Sequence, residues 1–188
     1  MVSVVTEINP IYLREETQQK IRSSFLNSEF PALILKDFFS TKFYTELEQK
    51  ISSLKFKKEV AVVHHCYAVS SFTLSSKYFS AFLSLVTKKK MNDLCFTAYC
   101  LTWKDYLILH DRYLEKPGLD IIIDLTERWN SDWGGKVIFT DGEGTVYPLE
   151  PARNSIALVE RKKGLNKYIQ YLNHQAKDRK RILLIASI

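Results

Sequence analysis

The second half of the chain is a series of short strand-like segments, and this pattern constrains the fold more than any other feature. From about residue 95 onward, apolar and polar residues recur with a period of two, which is typical of β-strands. No helical segment separates the members of the series, which are CFTAYCLTW, DYLILH, LDIIIDL, KVIFT, TVYPL, SIALVE, KYIQYL and RILLIAS. The Asp-Gly pair at 141–142 is typical of a hairpin turn. So many short strands in succession predict a β-sandwich or jelly roll.

The first half of the chain is predicted to be helical around one strand. An apolar strand is expected at 31–39, followed by a helix at 40–54 that begins with a Ser/Thr cap. A second helix is expected at 75–90. The apolar residues on the inward stripes of the two helices are Phe43, Leu47, Ile51, Leu54, Phe79, Phe82, Leu83 and Val86. We therefore expect one α+β domain over 1–188, in which mainly helical residues 1–94 buttress one face of a β-helix core formed by residues 95–188.

Composition narrows the class of protein. A chain of 188 residues with 46% hydrophobic and 26% charged residues is expected to be globular and to bury a real core. Cys66, Cys95 and Cys100 show neither zinc-site spacing nor an even disulfide framework, which favours a reducing compartment. There is no signal-peptide pattern and no apolar run long enough to span a bilayer, so we expect a cytoplasmic protein without a membrane partner. The net charge of +6 favours anionic ligands or partners, although late basic runs are often a solvated rim.

A series of motifs follows in a characteristic order along the chain. It consists of DYLILHD (105–111), LDIIIDL (119–125), RWNSDWGG (128–135), PARNSIAL (151–158), KYIQYLNH (167–174) and RKRILLIAS (179–187). In order and spacing the whole chain resembles the iron- and 2-oxoglutarate-dependent oxygenases of the prolyl hydroxylase type, particularly the small ribosomal-protein prolyl hydroxylases and their microbial relatives. FPALILKDFFS near the start is similar to the opening of that family. The resemblance implies a double-stranded β-helix (jelly roll) and, for an active member, Fe(II) and 2-oxoglutarate as cofactors.

Only one of the three metal ligands that the resemblance implies is present in the sequence. Family members bind iron through two histidines and one carboxylate. His110 matches the first ligand, but Arg112 stands at the carboxylate position and Lys167 at the distal histidine position. Asp111 is a weak substitute, because adjacent residues of a strand face opposite ways unless a bulge intervenes. His174 lies seven residues beyond Lys167, an odd offset that puts it on the wrong face or beyond the strand.

Two cations at ligand positions repel a divalent metal ion. The sequence therefore predicts no stoichiometric Fe, Mn or Zn near His110, the one ligand position that is kept. We therefore expect this chain to bind no cofactor, unless it is an active member that uses Fe(II) and 2-oxoglutarate.

The co-substrate position is occupied by basic residues. In the family, a basic residue on the last strand binds the carboxylate of 2-oxoglutarate, because a guanidinium offers paired hydrogen bonds. Arg179 and Arg181 are both near this position and share strand parity, so both are candidates. Tyr99 and Arg112 are further candidates for contacts with the co-substrate.

Two arrangements of these charges remain open. In one, Arg112, Lys167 and Arg181 form a cationic pocket that binds a dicarboxylate or phosphate without any metal. In the other, the cations pair with internal carboxylates and close the cavity. The candidate carboxylates are Asp120, Asp124 and Glu160.

Other candidate sites carry weaker signals. His64, His65 and Cys66 are potential zinc ligands, but neighbours on a strand face opposite ways and no second cluster accompanies them. A peptide or ring-binding groove has candidate aromatic residues in Trp103, Tyr106, Tyr113, Trp129 and Trp133. The basic C-terminal third is a possible contact for RNA, although it lacks a recognisable stacking motif.

Three functions are compatible with the sequence. The first is a degenerate oxygenase, or pseudoenzyme, that binds an anionic small molecule or a protein or peptide partner without iron-dependent hydroxylation. The second is an active 2-oxoglutarate-dependent dioxygenase with an atypical metal site. The third is a metal-free enzyme that uses the same cavity, with His110, Lys167 or Tyr106 in acid–base roles.

Overall fold

The described part of the chain contains three α-helices and eleven β-strands. The structure is a computed structural model that describes residues 7–28, 30, 32–61, 64–108, 116–141, 143–144 and 146–188, with residues 61–70 described by their backbone alone. The helices are α1 (Glu15–Leu26), α2 (Thr41–Ser52) and α3 (Lys77–Thr87). The strands are β1 (Ala32–Leu35), β2 (Lys57–Ala61), β3 (His64–Leu74), β4 (Leu94–Leu101), β5 (Tyr106–Leu107), β6 (Gly118–Asp124), β7 (Val137–Thr140), β8 (Val146–Leu149), β9 (Ser155–Arg161), β10 (Asn166–Ile169) and β11 (Arg181–Ser187).

The two predicted helices begin at serine caps. The Ser40 hydroxyl accepts a hydrogen bond from the backbone N–H of Phe43 at the start of α2. The Ser76 hydroxyl accepts one from the backbone N–H of Phe79 at the start of α3. Each cap satisfies a backbone donor that the first helical turn leaves without a partner. All four predicted inward residues of α3 are buried, and the predicted stripe of α2 packs against the same core.

The strands form one continuous antiparallel sheet that curls over itself. Its order is β1-β9-β6-β11-β4-β3-β5-β10-β7-β8, and β2 pairs with the outer side of β3. The first six strands of this order make a large layer, and β5, β10, β7 and β8 make a smaller layer that faces it across a shared apolar core. Short antiparallel strands in two facing layers are the predicted jelly roll.

The large layer has an apolar side toward the helices and an inner side toward the small layer. On β6, Ile121 and Ile123 pack in the same cluster as the buried residues of α2 and α3. Their neighbour Ile122 belongs to the inner cluster instead, together with Leu183 and Ile185 of β11. This alternation follows from the period of two along a strand. The expectation that helices buttress one face of the β-helix is confirmed.

The prediction that residues 1–94 are mainly helical around one strand is wrong for residues 57–61 and 64–74. These residues form β2 and β3, which pair with each other, and β3 also pairs with β4 along much of its length. HHCYAVSSFTL mixes small, polar and aromatic residues without a clear alternation, so its strand conformation depends on the pairing with β4. Strand 31–39 is shorter than predicted, because β1 ends at Leu35 and Asp37 adopts a positive φ of 49°.

The helices are short. Among the described residues, none of them has the length and apolar character needed to cross a bilayer.

Candidate functional site

Two aspartates of β6 point between the two layers. Asp120 and Asp124 are four residues apart, so they share the inner face of the strand and lie about 13 Å from each other. Both are buried, and the apolar Ile122 lies between them. A carboxylate in such a place requires hydrogen-bond donors, because burying an unpaired charge is costly. Each aspartate therefore marks a polar cluster inside the β-helix.

The first cluster joins four strands around Asp120, whose exposure is 0%. Its Oδ1 accepts hydrogen bonds from Lys167 Nζ of β10 at 3.1 Å, Ser187 Oγ of β11 at 2.6 Å and Arg161 Nη1 of β9 at 3.2 Å. Lys167 Nζ also lies 3.1 Å from Ser187 Oγ. Three donors on one carboxylate make the charged form of Asp120 compatible with its burial.

A cavity of about 260 Å³ opens beside this cluster. Its wall consists of Cys95, Thr97, Tyr99, Leu107, Lys167, Ile169, Ile185 and Ser187. Cys95 and Ser187 are exposed and stand at the mouth, whereas Tyr99, Ile169 and Ile185 lie deeper. Lys167 is the charged residue in this described wall. The cavity therefore combines one ammonium group and several hydroxyl groups with an aliphatic floor.

The second cluster holds Arg181, which is 1% exposed. Arg181 Nη1 donates to Asp124 Oδ1 and to Thr126 Oγ1, and its Nε donates to the Gly135 carbonyl at 3.2 Å. Asp124 also accepts the backbone N–H groups of Thr126 at 2.9 Å and Ala152 at 2.8 Å. The guanidinium is thus enclosed by internal acceptors, away from the cavity wall.

The close approach of the β7 connection to Arg181 depends on a glycine. Gly135 has a φ of 76°, in the left-handed region, and a Cβ at this position would lie 3.5 Å from Arg181 Cγ and 3.2 Å from Leu172 Cδ1. A side chain there would be strained by its backbone conformation and would crowd the layer above Arg181. The Gly-Gly pair of the sequence therefore serves to bring a carbonyl acceptor to the buried guanidinium.

The central metal-site candidates cannot be placed in this geometry. His110, Asp111, Arg112 and Tyr113 lie outside the described residues. His64, His65 and Cys66 belong to β3, where His64 is opposite Leu107 and His65 opposite Tyr106, but only their backbone is described. The predictions made for these residues remain predictions.

Lys167 and Tyr99, two of the other candidates, line the cavity together. Arg181 faces inward, but the expectation that Arg179 can share this orientation is wrong. The strand begins at Arg181, and Arg179 is exposed before it. Tyr106, another acid–base candidate, precedes Leu107 on β5. Leu107 faces the cavity, and adjacent strand residues face opposite ways, so the Tyr106 side chain is directed away from the cavity.

Of the three cations in the two open arrangements, the two that the structure describes have internal partners. Arg181 pairs with Asp124, and Lys167 with Asp120. The third predicted counter-ion, Glu160, instead pairs with Lys89 at 3.1 Å. The cavity beside Lys167 nevertheless persists, so the pairing does not fill it. Arg181 and Lys167 lie in separate clusters and do not form one cationic pocket.

Sequence reasoning missed Arg161 and Ser187 as partners of Asp120. The signal that points to them is the pair of aspartates in LDIIIDL, because carboxylates at positions i and i+4 of an apolar strand share a buried face and need donors from neighbouring strands. His174, considered as a replacement ligand, is exposed on a short 3-10 helix beyond β10, as its odd offset from Lys167 predicted.

Two residues at positions that the resemblance implies for Fe(II) and 2-oxoglutarate already have internal partners. Lys167, at the position implied for the distal ligand, donates to Asp120 and Ser187, and an ammonium group has no lone pair for a metal. Arg181, implied for the co-substrate carboxylate, already binds the carboxylate of Asp124. Within the described side chains, no group of three or more His, Cys, Asp or Glu is placed to hold a metal ion.

Known protein structures share this architecture at low sequence identity. No protein-family model and no curated protein sequence matches the chain. An oxidoreductase of the 2OG-Fe(II) oxygenase family from Burkholderia pseudomallei superposes with a TM-score of 0.69 at 9% identity, over 93% of this chain and 91% of that one. A prolyl-4-hydroxylase from Pseudomonas putida gives 0.67 at 8% identity, over 90% and 97% of the two chains.

A third structure of the same class was solved with a peptide bound. It is a prolyl hydroxylase from Trichoplax adhaerens in complex with a fragment of the oxygen degradation domain of hypoxia inducible factor, with a TM-score of 0.64 at 14% identity over 92% of this chain and 89% of that one. Likeness at such identities concerns the backbone architecture. The chain thus has the double-stranded β-helix fold of the 2OG-Fe(II) oxygenases and prolyl hydroxylases.

Proposed function

We propose that this chain is an oxygenase-fold protein that does not carry out iron-dependent hydroxylation and that binds a small anionic molecule in the cavity beside Lys167. The observation that carries the proposal is the position of Lys167. Its ammonium group lines the cavity, where the resemblance implies a neutral histidine ligand, and it is held there by Asp120 and Ser187. A fixed cation favours an anion and disfavours a divalent metal ion.

The size and lining of the cavity support a small ligand. Its volume of about 260 Å³ is below the range of roughly 300–1,000 Å³ that is usual for drug-sized ligands. Thr97 and Tyr99 supply hydroxyl groups that can donate to carboxylate or phosphate oxygens. Ile169 and Ile185 offer an aliphatic surface to a short carbon chain. A small carboxylic acid or an inorganic oxyanion suits this combination.

Thermal unfolding in the presence of anions tests the proposal. Phosphate, sulfate, citrate and 2-oxoglutarate are added separately at low ionic strength. A ligand of the native state at a hundredfold excess over its Kd stabilises by about 2.7 kcal/mol, which raises Tm by several degrees in a domain of this size. Lys167→Met should abolish the shift, whereas Lys20→Met on exposed α1 should leave it unchanged. Absence of a shift with all four anions would contradict the proposal.

Restoration of the metal ligands tests the other half of the proposal. Because fold and first ligand position are present, Arg112→Asp combined with Lys167→His should bind Fe(II) in anaerobic titration calorimetry, whereas the unaltered protein should not. Failure of the folded double variant to gain affinity would show that the strand register inferred for Arg112 and Lys167 is wrong. Tight Fe(II) binding by the unaltered protein at His110, or its turnover of 2-oxoglutarate, would favour the active dioxygenase instead.

A further inference from the structure

All three tryptophans of the chain lie at the end of the β-helix opposite the cavity mouth. Trp103 directly follows β4, and Trp129 and Trp133 lie in the connection from β6 to β7. Backbone hydrogen bonds join these segments to the chain after β10, from Lys104 N to Leu172 O at 2.9 Å and from Asn173 N to Trp133 O at 3.1 Å. Segments far apart in sequence thus form one connected surface, which we call the aromatic end.

Two rings of the aromatic end are largely exposed, whereas Trp129 and Trp133 are half-buried. Trp103 is 45% exposed, and Tyr171 is 48% exposed and lies 6.4 Å from Tyr106 between ring centroids. Trp129 and Trp133 contact each other edge to face at 5.3 Å. Tryptophan is highly buried on average, and exposed aromatic groups placed together mark interaction sites more often than isolated ones do.

Basic side chains lie in the same segments as these rings. Arg179 and Lys180 are exposed in the connection between β10 and β11, which also carries Tyr171. Lys104 Nζ lies 4.4 Å from the centroid of the Trp103 ring. The exposed basic residues of these segments are Lys104, Arg128, Lys177, Arg179 and Lys180, and the exposed acidic ones are Glu127, Asp132 and Asp178. Five cations against three anions leave this end net positive.

We propose that the aromatic end binds single-stranded nucleic acid. Single strands are bound by exposed aromatic side chains on which bases stack, together with cations that follow the phosphates. Trp103 and Tyr171 supply the rings, and Lys104, Arg179 and Lys180 are exposed cations of the same two segments. The sequence shows no stacking motif because rings and cations come from separate segments that the fold brings together.

Charge favours a nucleic acid over a proline-rich peptide, which also docks on aromatic grooves but has no need of surrounding cations. A duplex is disfavoured because its base faces are already stacked. The proposal does not depend on the cavity, which opens at the other end of the strands.

Titration with a dye-labelled oligouridine of about 12 nucleotides at low salt tests this surface, by fluorescence anisotropy. Trp103→Ala and Tyr171→Ala should each weaken binding about fivefold or more. Tyr78→Ala is the matched control, since Tyr78 is 52% exposed on α3, away from this end. Circular dichroism should show all three variants folded, because none of the rings is buried.

Salt dependence provides the second readout. The logarithm of the binding constant should fall linearly with the logarithm of salt concentration, and Lys180→Ala should reduce the slope by about 0.7, whereas Lys55→Ala in the exposed connection after α2 should not. Lys167→Met should leave oligouridine binding unchanged, which separates this proposal from the function proposed for the cavity.

Three results would overturn the proposal. One is absence of oligouridine binding by the unaltered protein at low salt. Another is binding that Trp103→Ala and Tyr171→Ala weaken no more than Tyr78→Ala does. The third is salt-insensitive binding of a proline-rich peptide that is lost in Trp103→Ala, which would assign the surface to peptides.

Discussion

At the scale of single residues, the buried guanidinium of Arg181 is bound by an internal carboxylate, that of Asp124. The resemblance to the oxygenases implies that a basic residue of the last strand binds a co-substrate carboxylate. Here the carboxylate comes from Asp124 of the neighbouring strand, and Thr126 and Gly135 complete the contacts of the guanidinium. A buried arginine with these partners stabilises one arrangement of β6 and β11.

Removing this internal carboxylate should lower the free energy of unfolding, and an added small carboxylate should partly rescue the variant. Asp124→Ala leaves the Arg181 guanidinium buried without its counter-ion, and breaking a buried pair in this way costs about 3–5 kcal/mol. We expect a large loss in the free energy of unfolding, measured by urea denaturation, which formate or acetate partly restores by occupying the space of the lost carboxylate.

The matched control for Asp124 is the surface pair of Glu48 and Arg153, in which Arg153 Nη2 lies 3.2 Å from Glu48 Oε2. Glu48→Ala should cost no more than about 1 kcal/mol and should not respond to formate, because exposed pairs contribute little. Equal losses for the two variants would contradict the role assigned to Asp124.

The two described cysteine side chains should differ sharply in reactivity. Cys95 is exposed at the cavity mouth. Cys100 is buried, and desolvation by burial raises the pKa of its thiol, an effect that nearby Lys180 partly opposes. Because the thiolate is the reactive form, alkylation at pH 7 followed by peptide mass spectrometry should modify Cys95 much faster than Cys100. A saturating anion in the cavity should slow the reaction of Cys95, and faster labelling of Cys100 would show that β4 is misassigned.

At the scale of elements, the end of α3 carries a residue in an unfavourable conformation. Lys88 caps this helix with a φ of 56°, in the left-handed region that glycine adopts at little cost. Lys88→Gly should therefore raise the free energy of unfolding by up to about 1 kcal/mol. Lys90→Gly is the control, because Lys90 has no positive φ and glycine there only adds freedom to the unfolded chain. Destabilisation by Lys88→Gly in thermal unfolding would argue against this cap.

The strand segments after residue 95 were predictable because each is a short apolar or alternating run that is too short for a helix. LDIIIDL and RILLIAS became the paired central strands β6 and β11. The β3 segment was not predictable in this way, because its polar and small residues take strand conformation through pairing with β4. The same contrast between local pattern and strand pairing holds for the cavity residues. Lys167 was identified from its spacing to PARN in the sequence. The contacts of Asp120 with Arg161 and Ser187 could not be predicted without the order of strands across the sheet.

At the scale of the whole molecule, an apolar interior separates the cavity from the aromatic end. The cavity and its Lys167 lie at one end of the strands, and the exposed tryptophan and tyrosine rings at the other. Between them, Leu183, Ile185 and Ile122 pack in the inner cluster. Ligands at the two ends are therefore expected to act independently, so that phosphate in the cavity leaves the affinity for oligouridine unchanged at constant ionic strength.

Local stability should follow the position of each strand in the sheet. The strands β6 and β11 are paired on both sides and buried on both faces, so their amides open only when the molecule unfolds. By contrast, among the described strands β2 pairs with one neighbour, β3, and its residues 57–60 are exposed, and β8 pairs with one neighbour, β7. Hydrogen exchange followed by mass spectrometry should show peptides of β2 and β8 exchanging early, and peptides of β6 and β11 last. Protection of β2 equal to that of β11 would mean that another surface covers this edge in solution, and the exchange rates of β2 should then depend on protein concentration.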